Sequence, residues 1–222
     1  VEDSVIVTFT DQHLVIRSKN LPNHPTAVFP DRWRLLDGNP NYIQEQDFTF
    51  HIPLEPQENP RHVAMDPENR NQALPGGPIG VMANGVIFHN PFDERINEDA
   101  VWRLDRCCGH PSPIQRYHYH QYPVCMNTPW DDQGEEHSPL LGFAFDGFPL
   151  YGPYEGKGVL AKDSRDNPLN DFNVHYDKER GWHYHVTPGK FPHLIGGFWG
   201  EPDPRNRFGP GPGGPMPPRP PR

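Results

Sequence analysis

The chain of 222 residues has no long run of basic side chains, and its 29 Asp and Glu residues outnumber its 20 Lys and Arg residues to give a formal net charge of −9. Domains that bind nucleic acids usually present a clustered basic face, so we expect no DNA or RNA partner. No apolar stretch approaches the ~20 residues that a membrane-spanning helix needs. We therefore expect no transmembrane segment either.

Two common catalytic motifs are also missing. The sequence has neither the GxSxG elbow that carries a serine nucleophile nor the GxxxxGK[ST] loop that binds nucleotide phosphates. The residues therefore leave the question of enzymatic activity open.

Cysteine is scarce, and three residues allow one disulfide and one free thiol. A bond from Cys107 or Cys108 to Cys125 would close a loop of about 17–19 residues, worth roughly 3 kcal/mol in the chain-entropy model. Thiolate ligation of a metal is the alternative. We favour the disulfide, with Cys107 and Cys125 as the preferred pair, and with it an oxidising compartment. Because the sequence begins at Val1, we expect a signal peptide to have been removed and the protein to be periplasmic or extracellular.

Proline and glycine are abundant, at 30 and 21 residues, and 12% of the chain is aromatic. Proline interrupts both helices and interior strands, so we predict an all-β fold that is rich in loops, with short strands and little helix. Residues 1–18 alternate between apolar and polar side chains and are predicted to form a β-hairpin. Phe48–Ile52 is predicted to be a short strand, and Asp93–Leu104 is the best candidate for a short helix.

Histidine follows a pattern that occurs twice. Six of the thirteen histidines obey one spacing rule of 65 positions, in the pairs His110 and His175, His118 and His183, and His120 and His185. A spacing rule shared by six copies of a rare residue indicates an internal duplication.

The duplication extends upstream of the histidines. Residues 79–92, IGVMANGVIFHNPF, align with residues 141–154, LGFAFDGFPLYGPY, at an offset of 62. Asn-Gly and Asp-Gly between apolar runs predict tight hairpins with type I′ turns. We therefore predict two repeats, residues 79–125 and 141–187, that pack as a pseudo-symmetric pair in a β-sandwich or barrel-like domain.

The predicted domain organisation has three parts. Residues 1–78 contribute a hairpin and ordered loops to the same core, residues 79–200 form the duplicated domain, and residues 201–222 form a Pro/Gly-rich extended tail. We expect the tail to contact a protein partner or a second copy of the chain.

These motifs resemble the YHYH-domain protein family. The resemblance runs from about Asn20 to Gly200 and rests on PIGVMANGVIFHNPF, the Asp105-x-Cys107-x-Gly109-His110 segment, YHYH at 117–120, HSPLLGFAFDGFPLYGPY and WHYHVTPGKFPHLIGGFWG. It implies an exported bacterial protein linked to the handling of copper or other metals. Three departures stand out: Trp182 replaces the first Tyr of the second motif, Cys108 is additional, and Phe172 stands where the first repeat has Cys107.

The histidine pairs suggest metal ligands. Residues i and i+2 of a strand point to the same face, about 6.5–7 Å apart, so His118 and His120 converge, as do the corresponding residues of the second repeat. A third histidine in each repeat would complete a three-nitrogen site that suits copper or, alternatively, zinc. The six predicted ligands, His110, His118, His120, His175, His183 and His185, form either one site per repeat or a single binuclear cavity.

The remaining histidines and two acids are weaker candidates. His89 and His137 flank turn-like positions, His24 is expected to have a role in loop structure, and four more are expected at the surface: His13, His51, His62 and His193. Asp105 and Asp146 could orient imidazoles, although the Asp-Gly turn alone explains Asp146.

Three function classes follow. The preferred one is an exported, copper-binding protein of the YHYH type, acting in copper handling or electron transfer. The second is a structural accessory subunit of a larger surface or membrane assembly, whose histidines are hydrogen-bonded scaffold. The third is a metal-dependent oxidase or hydrolase. A substrate-sized cleft beside the histidines would favour the enzyme, and a fully hydrogen-bonded histidine cluster would favour the scaffold.

Overall fold

The computed structural model describes residues 4–30, 39–66, 73–92 and 99–207, except for the side chains of Trp102 and Arg103. Within these ranges the protein is mostly β, which confirms the predicted fold class. The strands are β1 Val5–Phe9, β2 His13–Ser18, β3 Phe48–Pro53, β4 Pro78–Met82, β5 Ile87–His89, β6 Gly109–Pro111, β7 Tyr117–Tyr119, β8 Leu140–Ala144, β9 Pro149–Tyr151, β10 Tyr154–Gly156, β11 Val159–Leu160, β12 Val174–Asp177 and β13 Gly181–His185.

The N-terminal residues form the predicted hairpin and then add a third strand. β1 pairs antiparallel with β2, and β2 pairs antiparallel with β3, in the order β1-β2-β3. The alternating side chains of β3 turn Phe48, Phe50 and Ile52 inward, where they pack on Val81 and Phe145 of the repeats.

The two repeats form one eight-stranded sheet in the order β12-β13-β9-β8-β4-β5-β7-β6. Its centre is the antiparallel pair β4–β8, in which Gly80 lies opposite Ala144, Val81 opposite Phe143 and Met82 opposite Gly142. At an offset of 62, Val81 and Phe143 are repeat equivalents of each other, so this contact is isologous, as in a two-fold dimer. A pseudo-two-fold axis therefore passes between these two residues.

Two glycines permit this close approach. A Cβ at Gly80 would lie 2.5 Å from the carbonyl oxygen of Phe143, and a Cβ at Gly142 would lie 2.3 Å from the carbonyl oxygen of Val81. Both separations are far inside van der Waals contact. The same small residue is thus required at the same position of both repeats.

The hairpin turns differ from the prediction. Type I′ turns need positive φ at both central residues, but only Gly85 (80°) and Gly147 (94°) have it, not Asn84 or Asp146. The Oδ1 atoms of Asn84 and Asp146 instead accept hydrogen bonds from the backbone N–H two residues later, at 3.1 and 3.2 Å. Each loop is therefore a three-residue turn in which the side chain stabilises the ordinary backbone conformation and glycine takes the left-handed position.

The predicted helix and tail are only partly described. Of Asp93–Leu104, residues 93–98 lie outside the described ranges, and Ala100–Arg103 forms a 3-10 helix whose N-cap is Asp99. Residues 204–206 form another 3-10 helix, in which Asn206 exchanges two hydrogen bonds with the backbone of His51. The predicted tail from residue 208 onward lies outside the described residues. None of the described helices has the length and apolar character needed to cross a membrane.

Candidate metal centres

The first histidine cluster lies where β6 pairs with β7. His110 and His118 are directly opposite in this antiparallel pair, and His120 follows at the end of β7 on the same side as His118. The imidazoles meet through their Nε2 atoms: 3.1 Å separates those of His110 and His118, and 3.0 Å separates those of His118 and His120. All three side chains are buried.

The second cluster repeats this arrangement on β12 and β13. His175 lies opposite His183, their Nε2 atoms are 2.9 Å apart, and His185 is two residues further along the strand. His175, His183 and His185 are all buried. The structure therefore brings together each triad that the sequence predicted.

The two triads are separate sites. Four strands, β9, β8, β4 and β5, lie between β13 and β7 in the sheet. At the usual strand spacing this places the clusters on the order of 20 Å apart. Of the two arrangements that the sequence allowed, the structure therefore has one cluster per repeat and not a single binuclear cavity.

Backbone carbonyls set the orientation of the imidazoles. The Nδ1–H of His118 donates to Arg116 O at 3.0 Å, and that of His183 donates to Gly181 O at 2.8 Å. The other carbonyl partners of Nδ1 are Asn90 for His120 at 2.8 Å, Gly152 for His185 at 2.5 Å and Asn167 for His175 at 2.9 Å. Arg116 and Gly181 are repeat equivalents, as are Asn90 and Gly152, so the duplication carries the supporting bonds as well as the histidines.

These bonds determine the tautomer. A carbonyl oxygen only accepts hydrogen bonds, so in the five imidazoles with a carbonyl partner the proton is on Nδ1, and Nε2 presents a bare lone pair. The short Nε2 contacts therefore bring lone pairs together in a buried site, which is unfavourable without a cation between them. Hydrogen bonding of the far nitrogen to a carbonyl is also the usual arrangement for a histidine that ligates a metal.

The distances fit a coordinated ion. Metal–nitrogen bonds of ~2.0–2.1 Å around a tetrahedral centre place the nitrogens about 3.3–3.4 Å apart. Four Nε2 separations lie between 2.9 and 3.3 Å: those from His118 to His110 and His120 in the first cluster, and those from His183 to His175 and His137 in the second. The residues present thus fit a metal that accepts several imidazoles.

Burial holds four of the cluster histidines in the neutral form. Removal from water lowers the pKa of His120 to about 3 and that of His183 to about 4, and the neighbouring imidazoles add to both effects. Removal from water also lowers the pKa values of His118 and His185 well below 6.5. Neutral imidazole is the form that ligates metals.

A fourth histidine joins each cluster, and these two were rated as weaker candidates from the sequence. His89, at the end of β5, stacks on His118 with ring centroids 3.8 Å apart, because β5 runs parallel to β7 in this register. His137 precedes β8 and places its Nε2 atom 3.3 Å from that of His183. The ligand atoms of each group, His89 with His118 and His120, and His137 with its triad, lie within 4.8 Å of one another.

Three buried polar atoms at the clusters have no hydrogen-bond partner. They are His89 Nε2 in the first cluster, and His185 Nε2 and Glu155 Oε1 in the second. Buried polar atoms are nearly always satisfied, so groups of unsatisfied acceptors point to a missing ligand.

The tyrosines of the motifs point away from the clusters and are held by the hairpin turns. The Tyr184 hydroxyl donates to Asp146 Oδ2 at 2.6 Å, and the equivalent Tyr119 hydroxyl accepts from Asn84 Nδ2 at 2.9 Å. Burial raises the pKa of Asp146 to about 6, although its hydrogen bonds act in the opposite direction. Asp146 therefore positions a tyrosine and does not contact the histidines.

The first repeat has a further support. Asp105 accepts from the Tyr117 hydroxyl at 2.9 Å and from the backbone N–H groups of Cys107 and Gly109. In the second repeat Trp182 replaces this tyrosine and packs against Trp199, with ring centroids 4.8 Å apart. The two ends of the sheet are thus stabilised differently, by hydrogen bonds in the first repeat and by aromatic packing in the second.

The disulfide links Cys107 to Cys125, across 18 positions, and Cys108 is free. This confirms the predicted disulfide and decides between the two possible partners. His24 lies beside the two bonded sulfurs, but disulfide sulfurs are not thiolates, so we do not assign a metal site to this third group.

The remaining histidines match the expectation only in part: of the four expected at the surface, His13, His51 and His62 are half-buried, and His62 stacks on Trp199 with ring centroids 4.2 Å apart. His24 donates its Nδ1–H to Pro25 O and accepts from the Tyr119 hydroxyl at 2.7 Å, which is a loop-structuring role. His193 was expected at the surface, which is wrong: it is buried, and its Nε2 contacts Asp99 Oδ2 at 2.8 Å. The carboxylate pairs with Nε2, whereas the buried Nδ1 of His193 has no hydrogen-bond partner.

The fold and the sites define an all-β protein built by duplication around two histidine clusters. The family model described as YHYH protein matches residues 49–165, more than half of the chain. The chain belongs to this family. The matched segment contains the first cluster, and from the second it contains His137 and Glu155. Neither the curated proteins nor the solved structures gave a match.

Proposed function

We propose that the chain is an exported metal-binding protein that holds one copper ion in each histidine cluster. The observation that carries this proposal is the convergence of unprotonated Nε2 atoms at 2.9–3.3 Å in two buried, separate sites. Among divalent first-row metals copper binds nitrogen sites most tightly, which is why we prefer it to zinc.

The contacts argue against a purely structural role for the histidines. A scaffold cluster would satisfy both nitrogens of each ring, but here five rings have a carbonyl partner at Nδ1 while their Nε2 atoms face another imidazole or have no partner. Replacing such a cluster with hydrogen-bonded or apolar residues would remove an unfavourable arrangement. Its presence twice in one chain supports a role in binding.

The burial of both triads favours a carrier or electron-transfer protein over an enzyme, because a metal-dependent oxidase or hydrolase needs an ion that is open to substrate. A separate apolar cavity of about 200 Å³ lies between the N-terminal sheet and the centre of the large sheet, with Val5, Leu14, Ile16 and Phe143 in its lining. Export is supported by the disulfide, since such bonds persist in oxidising compartments.

Elemental analysis of protein purified without chelator, with an electron paramagnetic resonance spectrum of the same sample, tests this proposal. We expect two coppers per chain and a signal from Cu(II) with nitrogen ligands. Two zinc ions instead would keep both sites and replace copper. Absence of bound metal even after incubation with excess Cu(II) would show the proposal to be wrong. The variant His13→Ala should keep both ions, because His13 lies on β2, outside both clusters.

A further inference from the structure

Glu155 lies in the second cluster, a position that no sequence pattern predicts. It is the central residue of β10, and its Oε1 atom is 3.3 Å from His175 Nε2 and 3.4 Å from His185 Nε2. The side chain is 19% exposed, but Oε1 itself is buried and has no hydrogen-bond partner. The His185 Nε2 atom that it faces has no partner either.

The contact between Glu155 and the two imidazoles brings hydrogen-bond acceptors together without a donor. The Nδ1 atoms of His175 and His185 carry the ring protons, because they donate to the carbonyls of Asn167 and Gly152. Their Nε2 atoms and the carboxylate oxygen therefore direct lone pairs at one another. One extra proton could bridge only one of these pairs, whereas one cation in their midst would satisfy all of them.

We propose that Glu155 is an anionic oxygen ligand of the metal ion in the second cluster, which is therefore a mixed imidazole–carboxylate site that holds its ion in the divalent state. The inference rests on the proposed function, because it assumes that the second cluster binds metal. It adds a ligand, a charge and a preferred oxidation state.

The carboxylate matters because the site is buried. Four neutral imidazoles would leave Cu(II) with two uncompensated positive charges and Cu(I) with one, and a surplus charge is costly away from water. One carboxylate reduces each total by one, which favours the more highly charged ion. Oxygen ligands also suit harder divalent ions, whereas soft ligands select Cu(I).

The inference concerns the second repeat alone. At the offset of 62 the counterpart of Glu155 is Asp93, which lies outside the described residues. In the first repeat His89 stands at the position that Tyr151 occupies in the second.

The experiment isolates the second site and changes only the charge. In a chain carrying His118→Ala and His120→Ala, the remaining copper is titrated with a graded series of redox buffers, and Cu(II) is followed by electron paramagnetic resonance. Glu155→Gln keeps the shape of the side chain and removes its charge. Glu136→Gln is the matched control, since it removes an exposed carboxylate from the loop beside His137.

We expect Glu155→Gln to lower the preference for Cu(II) over Cu(I) by at least tenfold, which corresponds to about 59 mV for a one-electron couple. Glu136→Gln should leave this preference within about twofold, because exposed charges are screened by solvent. Equal behaviour of the two variants would overturn the inference.

Two controls separate this inference from the proposed function. If the chain with an intact second cluster folds by circular dichroism but takes up no metal, the proposed function fails at that site. If the double histidine variant does not fold, the titration is repeated in the otherwise unchanged chain, where Glu155→Gln must shift one of two copper steps and leave the other in place. If Glu155→Gln shifts neither copper reduction step, the proposed role of Glu155 is wrong.

Discussion

The first repeat, residues 79–125, and the second, residues 141–187, present the same three imidazoles at equivalent sheet positions and fasten them by different means. In both, paired strands place the rings opposite each other, and backbone carbonyls at equivalent positions hold the Nδ1–H groups. Outside the triad the chemistry diverges. A disulfide and a Tyr117–Asp105 hydrogen bond support the first cluster, and stacked aromatic rings support the second.

The comparison separates what the site requires from what the fold requires. The features shared by both repeats are the strand register, the carbonyl acceptors and the link from a hairpin-turn side chain to a buried tyrosine. Cys107 and its counterpart Phe172 show that a covalent bond can be exchanged for apolar packing, since Phe172 is buried against Trp199. The histidine geometry therefore depends on the backbone register, which either fastening can stabilise.

The largest expected effect tests whether the two clusters bind independently. His118→Ala with His120→Ala should remove one metal per chain, and His183→Ala with His185→Ala should remove the other, because four strands separate the clusters. All four changes together should abolish stoichiometric uptake. Metal content of each purified variant, with circular dichroism to verify folding, is the measurement. Loss of both ions from either pair alone would mean that the clusters are coupled.

The second prediction concerns the disulfide that stabilises the first repeat. Cys107→Ala with Cys125→Ala opens a loop spanning 18 positions, and we expect the free energy of unfolding to fall by about 3 kcal/mol. Denaturant unfolding of the metal-free protein measures it. Cys108→Ala is the control, because this thiol is free, and it should change stability by less than about 1 kcal/mol. Equal costs for the two variants would show that the disulfide is not a fastening of this repeat.

The triads could be predicted from the sequence because they depend on two local rules. Strand periodicity puts residues i and i+2 on one face, and the spacing of 65 identifies the matching residue of the other repeat. His89 and His137 flank turn-like positions, and the residues at the offset of 62, Tyr151 and Pro75, are not histidines, so the sequence predicts these two only as weaker candidates. Their positions depend on the parallel pairing of β5 with β7 and on the packing of a loop, which leave no periodic signal.

The turn type and the position of His193 were misjudged for a related reason. Asn-Gly and Asp-Gly dipeptides permit more than one turn, and the choice here follows from side-chain bonds to the next backbone N–H groups and to distant tyrosines. His193 is buried only because Asp99, far away in sequence, reaches its imidazole. Local propensity does not include such long-range partners.

The smallest expected effect concerns the one ionisable group in the shared link between turn and tyrosine. Asp146 accepts hydrogen bonds from the Tyr184 hydroxyl and the Gly200 N–H, whereas its counterpart Asn84 donates to Tyr119. In Asp146→Asn, an amide donor would face these donors or the side chain would have to reorient, so we expect a loss of about 1–3 kcal/mol.

The pH dependence of this loss distinguishes the charge from the shape of the side chain. The pKa of Asp146 is about 6 in the folded protein against an ordinary value of 3.8, so the folded state binds the extra proton more readily than the unfolded state. Its contribution to stability is therefore present below about pH 4 and is lost as pH rises through about 6. Asp146→Asn should consequently cost more near pH 4 than at pH 7, in unfolding titrations of metal-free protein. The exposed Asp166→Asn supplies the matched baseline. A cost that is the same at both pH values would mean that folding does not raise the pKa of Asp146, and that its hydrogen bonds offset its burial.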